Sequence, residues 1–130
     1  MNYYTTLEQS KKLIELGLDP KTADMAYAKG FKDLVICSPY IEDGFVGEFD
    51  LPCWSLGALI SVLPCFIKEG ENEYCLSIFP DGIGKWVVDY STFDTDECFM
   101  DYLDDSLLDA LYYMCCFLLE RNYIKKGETK

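Results

Sequence analysis

The side chains that could do chemistry in this chain are thiols and carboxylates. Seven cysteines (Cys37, Cys53, Cys65, Cys75, Cys98, Cys115 and Cys116) are present, and there is no histidine. Without imidazole the usual general base, the Cys–His and Ser–His dyads and the commonest zinc ligand are all missing. No two cysteines stand in C-x-x-C spacing, and the adjacent Cys115 and Cys116 point in different directions if helical. Most of the thiols therefore read as small buried hydrophobes. Enzyme chemistry would need carboxylates, lysine or tyrosine, and among the carboxylates Asp89, Asp94 and Asp96 are the candidates. Glycoside or phosphoester cleavage needs two such groups at a set separation, or a bound metal. Asp94-x-Asp96 resembles the start of a calcium loop, but the third ligand, the glycine and the twelfth-position glutamate do not follow. Gly82-Ile83-Gly84 lacks the third glycine and the helix of a phosphate loop. The expectation is no catalytic residue, no metal ligand and no cofactor, which leans away from an enzyme.

The aromatic content points elsewhere. Ten Tyr, eight Phe and two Trp in 130 residues exceed what a minimal core needs. Tyr and Trp suit interfaces because one end is apolar and the other hydrogen-bonds. Trp54 and Trp86 are candidates for a groove between a middle helix and a hairpin, although Trp54 reads first as core. Tyr40, Phe45, Tyr112, Tyr113 and Phe117 are candidate interface residues. Self-association as a homodimer is the simplest form, since twofold dimers are the commonest oligomers.

The net charge is −12. No basic residue lies between Lys85 and Arg121, while nine acids do. Such a surface repels phosphate backbones and anionic lipid heads, so direct nucleic-acid and membrane binding are not expected. The longest apolar run, near Leu111–Leu119, is far short of the ~20 residues that span a bilayer. The first residues lack a basic start followed by an apolar core, and the odd cysteine count fits a reducing compartment, so a cytoplasmic location is expected.

Local signals set the elements that must position these residues. Thr5-x-x-Glu8 and Thr6-x-x-Gln9 both fit a capping box, predicting a helix over about 7–16 that Gly17 stops. Asp19-Pro20 predicts a short helical piece over 20–25. Leu34–Cys37 reads as a strand ended by Pro39, and 40–50 as a turn-rich loop. In "LPCWSLGALISVLP", Ser55 is an N-cap, and Leu56, Leu59, Ile60 and Leu63 line one face of a helix over about 56–63. Trp54 and Leu59 have the spacing of a hydrophobic staple. Alternation on either side of Pro80–Gly84 predicts a hairpin over about 73–90. "STFDTDECFMDYLDD" reads as acidic and irregular. Asp105 or Ser106 then caps a helix over about 106–121 whose stripe includes Leu108, Leu111, Met114, Cys115 and Leu118, with Tyr112, Tyr113 and Phe117 off it. The order predicts an α+β fold: one domain over 1–130, a three- or four-stranded antiparallel sheet, and helices mainly on one face.

Three stretches, "TTLEQSKKLIELGLDPKTADM", "LPCWSLGALISVLP" and "SLLDALYYMCCFLLERNYI" after a hairpin ending in "KWVVDY", resemble a family of small uncharacterised proteins of gut Bacteroidetes and their phages or mobile elements. They cover most of the chain, and the tryptophan-serine-leucine segment is the most specific. The resemblance implies a cytoplasmic bacterial or phage setting and a compact domain, and no catalytic residues. The functional expectation is a non-enzymatic, soluble interaction protein. The alternatives are an acidic mimic that occupies a basic host protein, and a carboxylate enzyme.

Overall fold

The computed structural model describes residues 3–27, 35–37 (backbone alone), 51–93, 95 and 97–127. The fold is α+β. The order is α1 (Leu7–Glu15), a single 3-10 turn (Pro20–Thr22), β1 (Met25–Tyr27), β2 (Val35–Cys37), β3 (Leu51–Cys53), α2 (Leu56–Val62), β4 (Phe66–Glu69), β5 (Asn72–Pro80), β6 (Trp86–Ser91), β7 (Cys98–Asp104) and α3 (Leu107–Glu120). No helix among the described residues is long and apolar enough to cross a membrane.

Each helix begins and ends on local chemistry. Of the two capping boxes, the fold uses the second: Thr6 Oγ1 accepts from Gln9 N at 3.1 Å and Gln9 Oε1 from Thr6 N at 3.0 Å. Thr5 is thereby free to turn inward. Gly17 (φ +99°) and Asn122 (φ +64°) take the left-handed position that ends α1 and α3. In both cases the next residue donates its N–H back five residues, Leu18 to Leu13 and Tyr123 to Leu118. Ser55 and Ser106 cap α2 and α3. Leu63, forced out of helical geometry by Pro64, stops α2 at ψ 129°. The helix is only two turns long, so its face is narrower than the spacing predicts: Ala58 and Leu59 are buried, while Ile60 is exposed. The helical piece predicted over 20–25 shrinks to one turn, because Met25–Tyr27 pair as a strand instead.

Among the described residues there are two antiparallel sheets where the sequence suggested one. The three-stranded sheet has the order β2-β1-β3, with Pro52 on the edge strand, where its missing N–H breaks no ladder. The four-stranded sheet has the order β4-β5-β6-β7 and contains the hairpin. Its last strand corrects the irregular reading of 98–104. Alternation hides there because a bulge between Tyr90 and Ser91 skips a pairing partner: Tyr90 faces Met100 and Ser91 faces Cys98. Phe99 and Met100 then both reach the helix side of the sheet.

The helices do not all lie directly on one sheet face. α3 covers the inner face of β6 and β7, α2 packs on α3, and α1 sits between β3 and α3. Gln9 Nε2 donates to Asp109 Oδ1 at 2.8 Å, tying α1 to the first turn of α3. Leu108, Leu111, Met114, Cys115, Leu118 and Leu119 of α3 meet Tyr74, Val88 and Tyr90 of the sheet in one buried cluster. The Tyr90 hydroxyl is satisfied by the Pro64 carbonyl at 2.7 Å.

Candidate interaction surfaces

Trp54 belongs to the interior. It is 0% exposed, as is Leu59, the partner in the predicted staple. Its backbone pairs with Thr5: Thr5 N donates to Trp54 O at 2.9 Å, and Trp54 N donates to Thr5 Oγ1 at 3.1 Å. The indole N–H donates to Thr22 Oγ1 at 2.9 Å. The Tyr27 hydroxyl and the Ser10 hydroxyl complete the satisfaction of Thr5. Trp86, half-buried at the start of β6 opposite Pro80 and Asp104, lies outside this cluster. The two tryptophans therefore do not line a common groove, because one is sealed inside the core. Tyr40 and Phe45 lie outside the described residues.

Tyr112, Tyr113 and Phe117 do come together. Tyr113 is 45% exposed, 5.4 Å from Tyr112 and stacked on Tyr102 of β7 at 5.9 Å and 30°. Phe117 stands edge-on to Tyr102 and to Phe99, and the Arg121 guanidinium sits 4.8 Å over its ring. The result is an aromatic strip along the seam between α3 and the outermost strand. Sequence reasoning missed Tyr102 and Phe99 because both come from the unrecognised strand.

The larger missed feature is the outer face of the four-stranded sheet, away from the helices. Residues directly opposite across a ladder share a face. Phe79, Val87 and Leu103 form one apolar row across β5, β6 and β7. Phe66 and Cys75 begin another at the far end, continued by Ser91 and Cys98. Phe66 is 57%, Phe79 42% and Leu103 53% exposed. Between the two rows runs a polar one, Ser77–Asp89–Asp101. Burial pushes the Asp89 carboxyl above its ordinary range; the Ser91 hydroxyl opposes this, and the facing Asp101 adds a smaller push upward. The alternation of β5 and β6 could have disclosed this face, since Phe79 and Val87 fall on the side opposite Ile78 and Val88.

The carboxylates and the thiols sit in different settings. Two clefts among the described residues, about 630 Å³ at Asp19–Thr22 and Lys125–Gly127 and about 340 Å³ at Glu71–Glu73, Cys75, Thr92, Phe93 and Thr95, hold neither Asp89 nor Asp101. No group of three or more metal-ligating Cys, Asp or Glu occurs among the described residues. Asp94 and Asp96 lie outside them. The six described cysteines are free thiols. Burial raises Cys53 to about 11 and raises Cys115 further, the opposite of an activated nucleophile. Cys98 is raised by burial and then by Asp101 and Asp89. No family model matches this chain, and no curated protein or solved structure matches it either.

Proposed function

We propose that this chain is a non-enzymatic protein-interaction module whose contact surface is the outer face of the four-stranded sheet. One observation carries the reading: Phe66, Phe79 and Leu103 stand 42–57% exposed on one sheet face that no described helix covers. A sheet with a merely solvated face shows polar residues at those alternating positions. Large apolar side chains grouped on one face are the usual mark of a docking surface. Burial holds the Cys53 and Cys115 thiols protonated, which favours a role without thiol catalysis.

The test is site-specific photocrosslinking in the native cells. A photoreactive phenylalanine analogue at position 79 is expected to yield one discrete adduct. The same analogue at Phe93, which is 89% exposed but off the sheet ladder, yields none. Equal or absent adducts at the two positions would remove the reading.

A second reading, self-association, is favoured by the aromatic strip of Tyr102, Tyr112, Tyr113 and Phe117. A twofold contact there would extend the stack of Tyr102 on Tyr113. Light scattering then gives a species twice the 14.9 kDa chain mass that reverts to monomer in Tyr113→Ser. A monomer at all concentrations rejects it.

A further inference from the structure

We propose that the outer sheet face receives a cationic protein partner, which sets a lysine or arginine side chain onto Asp89 and Asp101 beside the apolar row of Phe79, Val87 and Leu103. This rests on the interaction reading above and names the chemistry of the occupant.

Asp89 and Asp101 are direct cross-strand neighbours at the middle of β6 and β7. Like charges placed so destabilise a sheet. Nothing described in the fold offsets this. The ion pairs among the described residues are Lys12–Glu15 and Lys85–Asp105, and neither carboxylate takes part. The only described hydrogen bond to Asp89 is a long one, 3.5 Å from Ser91 Oγ, and partial burial already disfavours its charge. On one side stand the apolar Phe79, Val87 and Leu103; on the other runs the row Phe66–Cys75–Ser91–Cys98, apolar at its β4 and β5 end and with Ser91 and Cys98 beside the two carboxylates. An acidic seam bordered by an apolar row is the complement of a cationic side chain with apolar neighbours.

The same geometry selects against other occupants. A twofold contact of the face with itself brings centre onto centre, so Asp89 and Asp101 would meet the same pair on the second copy. The net charge of −12 adds to that repulsion. Phosphate-bearing ligands are repelled for the same reason. Arginine is the better anchor, because its planar fork can engage both carboxylates and is more weakly hydrated than an ammonium.

The test titrates the full ¹⁵N-labelled chain with three capped probes: an alternating peptide with one arginine between isoleucines, the same peptide with glutamate in place of arginine, and pentalysine. The arginine peptide is expected to shift the amides of Ser77, Val87, Asp89, Asp101 and Leu103 saturably, and the glutamate peptide to leave them in place. Pentalysine, without apolar flanks, is expected to shift acidic sites over the whole surface without saturation. Asp89→Asn/Asp101→Asn is expected to weaken the arginine peptide about tenfold or more while raising thermal stability, a combination that damage to the fold does not produce. Unchanged affinity in that variant, with loss in Phe79→Ser/Leu103→Ser, overturns the cationic anchor but keeps the docking face. No saturable binding in the millimolar range, or shifts that follow protein concentration alone, overturns the proposal. The crosslinking comparison separately decides the interaction reading.

Discussion

Replacing Trp54 with alanine tests the core against the surface more sharply than any other single change. A buried tryptophan hides at most about 250 Å², which at ~25 cal/mol/Å² sets an upper bound of about 6 kcal/mol. The retained Cβ and partial collapse of the site bring this into the measured range for such truncations, 3–5 kcal/mol, so about 4 kcal/mol is the expected loss. The indole hydrogen bond adds little, because Thr22 is exposed and its hydroxyl rehydrates. For a domain of this size the melting point then falls by about 15 °C, at ~4 °C per kcal/mol. The urea midpoint falls by about 2 M if m is ~2 kcal/mol/M. Trp86→Ala is the internal comparison: half-buried at a strand end, it is expected to lose only about 1–2 kcal/mol. Urea unfolding of both variants, followed by far-UV circular dichroism, gives the two values side by side. Should Trp54→Ala cost under about 1 kcal/mol, or Trp86→Ala as much as Trp54→Ala, the Thr5–Trp54 junction is not where the core is sealed.

Two further outcomes follow from the sheet face and the thiols. Because the Asp89 carboxyl is raised in the fold above its ordinary value of 3.8, its ionised form is less stable there than in the unfolded chain; protonation favours the fold, and stability is lost as pH rises through the raised value. Asp89→Asn should therefore stabilise by ~0.5 kcal/mol at pH 7, after allowance for screening by solvent, and by nothing below about pH 3.8; melting curves of both proteins at the two pH values check it, and a less stable Asn variant at pH 7 contradicts it. With an aromatic disulfide reagent under native conditions, the exposed Cys65 should react first, Cys98 more slowly despite its exposure because its thiol is raised, and the buried Cys53 and Cys115 only after unfolding; peptide mapping of the labelled sites at timed intervals gives the order.

How much of the fold the chain disclosed by itself depended on how local the cause was. The starts and stops of α1, α2 and α3 were legible because Thr6, Ser55 and Ser106 satisfy N–H groups three residues away, and Gly17 and Asn122 take a backbone position few residues accept. The hairpin was legible because alternation and its turn lie within one short stretch. β7 was not: its acids and its bulge break the period-two pattern, and it is a strand only because β6 supplies the pairing. The three-residue strands β1 and β3 are likewise created by partners distant in sequence. Tyr112, Tyr113 and Phe117 could be grouped from helical spacing, but Tyr102 and Phe99 join them only across that pairing. Alternation along β5 and β6 divides residues into two faces without saying which face a helix will cover. Only the docking of α3 decided that Val88 and Tyr90 go inside, leaving Phe79, Val87 and Leu103 outside around two opposed carboxylates, because burial is a property of what lies against a face and not of the strand that bears it.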